Sequence, residues 1–208
     1  GKALTYFSLQ ELIDQLERMV GGKRLLAECN GRMNWPQRGV YFFFENGEKR
    51  SDSGVGLRVV RVGTHALVPG SKSTLWKRLS QHRGTSRSGG GNHRGSIFRL
   101  LVGTALKAKD GYQEATSWGV KSDPGKAAKH LRFGRDEILS NEYALEVAVS
   151  EHIRSMPFLW VKVDDPPGPD SNRGIIERNS IALLSNFGDA QFDAPSEEWL
   201  GHNCDRER

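Results

Sequence analysis

Three short runs of β-branched and aromatic residues constrain this chain more than any other feature. RGVYFFFE (Arg38 to Glu45) and LRVVRVG (Leu57 to Gly63) are near neighbours, and FLWVKV (Phe158 to Val163) stands alone late in the sequence. Such residues suit a pleated, half-buried surface. The first two runs read as arms of a hairpin. Asn46-Gly47 is a dipeptide favoured in tight turns, and the polar stretch from Glu48 to Gly56 lengthens the connection. Elsewhere apolar residues recur at helical spacing. From Ser8 to Val20, Leu9, Leu12, Ile13, Leu16, Met19 and Val20 form one stripe, with Ser8 and Glu11 in capping-box positions. Further helices are expected over Thr74 to Arg83, Ser96 to Ala108, Asn141 to Met156 and Asn172 to Ser185. Gly84 to Gly95 reads as a flexible, basic, Gly/Ser-rich linker, and Asp110 to Ser140 as mixed loop with short elements. A few strands among several helices give an α+β fold with a small, partly antiparallel sheet.

Charge narrows the function. The net charge of +5 conceals a strong asymmetry. From Ser53 to Lys109 there is no Asp or Glu, and the Lys and Arg residues there give +11, against −6 for the rest of the chain. A block of this kind suggests a polyanionic partner. The basic residues do not follow one amphipathic helix, which argues against a membrane surface. No apolar stretch is long enough to span a bilayer, and GKALTYFSLQELIDQ lacks an apolar signal core. Cys29 and Cys204 are too far apart in sequence to suggest a disulfide framework or a zinc knuckle, so a reducing cytoplasm is the expected setting. Zinc-ligand spacing, G-x-S-x-G and the phosphate-loop signature G-x-x-x-x-G-K-[ST] are all missing from the sequence.

Two helices carry polar residues where an apolar stripe would exclude them. At about 100° per residue, Glu177 falls within about 40° of Ile181 and about 20° of Leu184. A carboxylate on such a face needs a metal ion, a cationic partner, or a route to water at the rim. On the helix from Thr74, Arg78 and His82 lie one turn apart and flank the Leu75/Leu79 stripe. That pair is either a surface pair or two groups sharing one cleft.

These residues fall in an order that resembles the GIY-YIG endonucleases. Gly39-Val40-Tyr41 matches the first motif element, and Arg61-Val62-Gly63 stands where the second is expected, with Arg61 at the position of the second tyrosine. Thr74 to His82 resembles the family helix carrying Arg and, four residues on, His or Tyr; Ile176 to Ile181 resembles the helix carrying a single metal-binding Glu. The resemblance implies a central three-stranded antiparallel sheet flanked by helices. It places a nuclease domain over residues 38–186, with insertions at 84–95 and 110–140, between an N-terminal helical extension (1–37) and a C-terminal extension (187–208).

The resemblance also implies phosphodiester hydrolysis in DNA, expected to be double-stranded, with no membrane partner; a symmetric double-strand cutter would favour a homodimer. Tyr41 would be the general base, its high intrinsic pKa eased by Arg61 and Arg78, with His82 the rival; at the second tyrosine's place either Arg61 supplies positive charge or His65 takes part. Arg78 would stabilise the transition state, and Glu177 would hold Mg²⁺ or Mn²⁺. Lys72, Lys77, Arg83, Arg87, His93, Arg94 and Asn186 are the expected DNA contacts. The competing readings are a non-catalytic nucleic-acid-binding protein on the same fold, and a structural protein that uses the Ser8 helix as an interface.

Overall fold

The computed structural model describes residues 6–50 and 56–184. Four strands form one antiparallel sheet in the order β1-β4-β2-β3. They are β1 (Arg24–Leu25), β2 (Gly39–Lys49), β3 (Leu57–Gly63) and β4 (Pro157–Lys162). The three expected strands form the sheet, and the two-residue β1 adds a short edge against Phe158 and Pro157. The helices are α1 (Tyr6–Val20), α2 (Leu75–Arg83), α3 (Ile97–Asp110), α4 (Pro124–Leu131), α5 (Arg135–Arg154) and α6 (Asn172–Leu184).

The chain divides into two units. The described residues up to Arg78, with Met156 to Leu184, form a sheet unit; Leu79–Ser155 form a helical unit, so the division falls within α2.

In the sheet unit β2 is buried on both faces from Gly39 to Phe44. This is why its sequence is a continuous apolar run rather than an alternation. Val40, Phe42, Phe44, Val59, Val62 and Leu159 pack with Leu9 and Ile13 of α1, and with Ile176 and Leu183 of α6. Helix α1, expected within an N-terminal extension, therefore supplies core to the sheet. The opposite face holds stacked or tilted rings: Phe43 on Phe158 at 5.3 Å, Phe158 on Trp160 at 5.5 Å, and Trp35 between Trp160 (4.6 Å) and Trp76 (5.0 Å).

The β2–β3 pairing is irregular at two places, the first inside the apolar run. Phe43 pairs with Arg61 but Phe44 pairs with Val59, leaving Val60 as the extra residue of a bulge. The bulge lets Val59 join the core face while Arg61 and Gly63 share the Tyr41 face. Asn46-Gly47 does not make the hairpin turn, contrary to expectation. Strand β2 runs through it to Lys49, with Gly47 at φ +87° and a second irregularity in register. The Arg50 N–H donates to Gly56 O (2.9 Å) and closes the connection beyond.

The helical unit departs further from expectation. Gly84 to Gly95 is a built segment with its own turn and 3₁₀ hydrogen bonds, Thr85 N–H to Gly90 O and Ser96 N–H to His93 O among them. Helix α4, capped by Asp123 on the Lys126 N–H, occupies part of the stretch read as loop. Helix α5 begins at Arg135, so Asn141 lies inside it and does not cap it. The buried stripe of α5 includes Glu142 and Glu146 beside Ile138, Leu145, Val149 and Ile153. Two charged residues on that stripe disguise its periodicity. Among the described residues no helix is long and apolar enough to cross a membrane.

Candidate active site

Tyr41 lies at the centre of the sheet, directly opposite Gly63 on β3 and Trp160 on β4. A Cβ at Gly63 would run into the Tyr41 ring, so glycine here makes room for the phenol to lie across the neighbouring strand. Gly39 is required for a different reason: its Cβ would meet the carbonyl oxygen of Val161. Arg61, kept on this face by the bulge, is diagonal to Tyr41. Arg78 enters from the start of α2, where Thr74 Oγ1 accepts the Lys77 N–H (3.1 Å) and the Leu75 N–H donates to Gln37 O (2.8 Å). Its Nε is buried with no hydrogen-bond partner among the described residues.

Arg61, Arg78 and Glu177 all act electrostatically on the Tyr41 hydroxyl. The fully enclosed phenol is pushed up to about 12, because burial outweighs the lowering by Arg61 and then Arg78, and Glu177 pushes the same way as burial. Arg61 and Arg78 thus both lower the phenol's pKa, by less than burial raises it. Glu177 is half-buried on α6. Burial raises its carboxyl, against lowering by Arg61, by the Thr64 backbone N–H and by Arg178.

His65 plays a structural part. It is buried, its Nε2 accepts the Gly39 N–H (3.2 Å), and Nδ1 lies 3.2 Å from Ser73 Oγ. The Gly39 bond leaves Nε2 unprotonated, so Nδ1 carries the proton and donates to Ser73. Burial, followed by Arg173 and Arg78, lowers its pKa to about 4, despite an opposing hydrogen bond at Ser73. With both ring nitrogens engaged, His65 has no lone pair to offer a water molecule.

Among the expected DNA contacts, Lys72, Lys77 and Arg87 are exposed and Arg83 is half-buried. Asn186 lies outside the described residues. His82, His93 and Arg94 belong to the helical unit. His82 is buried, with Nδ1 2.6 Å from Ser96 Oγ and its ring edge-on to Phe98. His93 and Arg94 are built into an ionic network and do not project from a surface loop. Arg94 makes a two-pronged contact with Glu142 (2.7 and 2.9 Å), and Ser117 Oγ donates to the same carboxylate (2.7 Å). Arg99, fully buried on α3, pairs with Glu146 at 2.9 Å and also donates to His82 O and Ser150 Oγ. The other Glu146 oxygen accepts the His93 N–H (3.0 Å) and contacts His93 Nδ1 (3.1 Å); His93 Nε2 accepts the Gly119 N–H (3.0 Å). The His93 ring stacks on Trp118 at 3.7 Å. A Cβ at Gly91 would strike the Arg99 guanidinium, so part of the glycine run is there to admit that side chain.

His93, Glu142 and Glu146 bring one ligand atom each within 4.8 Å of one another, a spacing that would admit a divalent ion. Both carboxylates already face guanidinium groups, so a cation would have to compete with two arginines. This network escaped the reading of the sequence. Its one signal there is the placement of Arg99, Glu142 and Glu146 on otherwise apolar helical stripes.

Among the described residues, a four-stranded antiparallel sheet with helices packed on it, and Arg61, Arg78 and Glu177 acting on the Tyr41 hydroxyl, define the α+β fold and its candidate site. The chain belongs to the GIY-YIG domain family, whose model matches residues 4–208. Neither a curated protein nor a solved structure matches the chain significantly. Membership suggests nucleic-acid binding, in keeping with the basic block of the sequence.

Proposed function

We propose that this protein is a metal-dependent endonuclease that hydrolyses phosphodiester bonds in DNA. The observation that carries this reading is the convergence on the Tyr41 hydroxyl of Arg61, Arg78 and Glu177, from three separate elements. Arg78, with its unpartnered Nε, contributes positive charge to a non-bridging phosphate oxygen as the transition state forms. Arg61 adds charge at the position of the second tyrosine.

Glu177 fits a divalent cation. Burial raises its carboxyl, and Arg61, one backbone N–H and Arg178 only partly offset this. Bound there, Mg²⁺ or Mn²⁺ would neutralise phosphate charge and lower the cost of deprotonating nearby groups. In the free protein Tyr41 holds its proton and is a hydrogen-bond donor; as a general base it needs that added positive charge. His82 is the less favoured base, since its ring is buried edge-on against Phe98 and out of reach of solvent.

The raised Tyr41 pKa also supports a second reading, a nucleic-acid-binding protein with a silent site. Plasmid nicking in Mg²⁺ or Mn²⁺ separates the two, and Glu177→Ala tests the assignment. Losing the metal should cost several kcal/mol of transition-state stabilisation, so cleavage should fall by about 10³-fold or more. DNA affinity in a gel shift should stay close to wild type. Equal loss of cleavage and binding would overturn the role given to Glu177.

A further inference from the structure

Arg173, one turn before Glu177 on α6, is fully buried and touches neither solvent nor the Tyr41 hydroxyl. Its guanidinium instead gathers the backbone of two distant segments. Nε donates to His65 O (3.2 Å) and Nη2 to Ala66 O (3.0 Å), just beyond β3. Nη1 donates to Val163 O (3.0 Å), Asp165 O (2.6 Å) and Asp165 Oδ1 (2.8 Å), just beyond β4. Asp165 Oδ2 in turn accepts the Asn172 N–H (2.7 Å) at the head of α6.

The segment that Arg173 grips is the one that holds the site. Thr64 Oγ1 donates to Gly39 O (2.8 Å), and the Thr64 backbone N–H acts to lower the Glu177 carboxyl pKa. His65 accepts the Gly39 N–H two residues before Tyr41. Ala66 has φ +58°, a left-handed conformation unusual for alanine, and both its carbonyl and that of His65 are turned onto Arg173. Helix α6 is thus tied to residues 65 and 66 through Arg173, one turn before Glu177. We propose that Arg173 is a positioning residue for Glu177: it fixes the rotation and height of α6 against the end of β3, so that the carboxylate meets the Thr64 N–H beside Tyr41. This rests on the reading of Glu177 given above for its catalytic consequence, but not for its geometry.

A lysine at 173 keeps the charge and loses the fork that spans several carbonyls. The test compares the Thr64 amide proton shift by NMR in the full-length chain with its shift after Glu177→Gln, at one fixed pH. In the wild-type background, removing the carboxylate should move this amide. In Arg173→Lys, with the remaining amide spectrum preserved, this response to Glu177→Gln should be lost or strongly reduced. Cleavage should fall by about 10–100-fold, as for other outer-shell partners of a metal ligand, at unchanged DNA affinity. If Arg173→Lys does not fold, Asp165→Asn removes the negative charge and one of the two oxygens that accept from Arg173 and the Asn172 N–H, and should weaken the Thr64 response by a smaller amount. A wild-type Thr64 response in a folded Arg173→Lys or Asp165→Asn protein would overturn the proposal. Cleavage that survives Glu177→Ala would instead remove the catalytic reading and leave the amide result standing.

Discussion

Glu177 in the sheet unit and Glu146 in the helical unit begin alike, as carboxylates removed from water by their own helices, and end with opposite chemistry. For each, burial is the largest influence and pushes the pKa up. Glu146 nevertheless comes out lowered, because hydrogen bonds and charge from His93 and Arg99 outweigh burial. Glu177 stays raised, because Arg61, one backbone N–H and Arg178 do not. A buried charge surrounded by enough partners is architecture. One left short of them is held at a cost, and keeps the capacity to bind something more.

This contrast can be broken at several points. The largest effect on stability should come from Glu146→Ala, which strands the fully buried Arg99 guanidinium without its carboxylate. Removing one member of such a pair costs about 3–5 kcal/mol, which a urea titration would read directly; a change below about 1 kcal/mol would mean that the network is not structural.

Acid comes next, and here the sheet unit is the weaker. His65 has its pKa lowered to about 4 in the fold, against about 6.5 when unfolded. The unfolded chain therefore takes up the proton first, and stability present above pH 6.5 is lost as pH falls toward 4. Linkage puts the loss at about 2 kcal/mol between pH 7 and pH 5. His65→Gln should flatten that slope; an unchanged slope would show that another group titrates. Glu146, with its pKa lowered by folding, gives up its contribution only under more acidic conditions, below the ordinary carboxylate range.

The smallest effect carries the sharpest sign. Because folding raises the pKa of Glu177, its ionised form costs stability at neutral pH. Glu177→Gln should therefore fall within about 1 kcal/mol of wild type, on the more stable side. A clear loss in thermal midpoint would place Glu177 with Glu146 as a structural carboxylate.

What was legible in the sequence follows the same division. Strands β2, β3 and β4 and helices α1, α2 and α3 declare themselves because most of their buried residues are apolar and recur with the right period; α6 buries Arg173, Gly174 and Ser180 while Ile175 and Ile181 are exposed. Tyr41, Arg61, Arg78 and Glu177 stand out because each is a polar residue in a motif or on an apolar face. The first half of α5 was hidden, since Glu142 and Glu146 occupy core positions and look like surface. The Val60 bulge was hidden too, because nothing in LRVVRVG distinguishes a regular strand from one with an extra residue. Arg173 gave no sign at all: its partners are carbonyl oxygens, which every residue has.

The sequence alone determined which residues were available. It supplied the β-prone runs, the acid-free basic block, the glycines at 39 and 63, and a tyrosine, two arginines and a carboxylate suited to phosphate chemistry, because residue type and period are local properties. Tertiary structure decided which charges are satisfied. That depends on how many donors surround each buried group, and those donors come from segments far apart in the chain. The fold therefore gave His93, Arg94 and Arg99 to the ion pairs of the helical unit, and left the Glu177 carboxyl raised by burial that its neighbours do not offset.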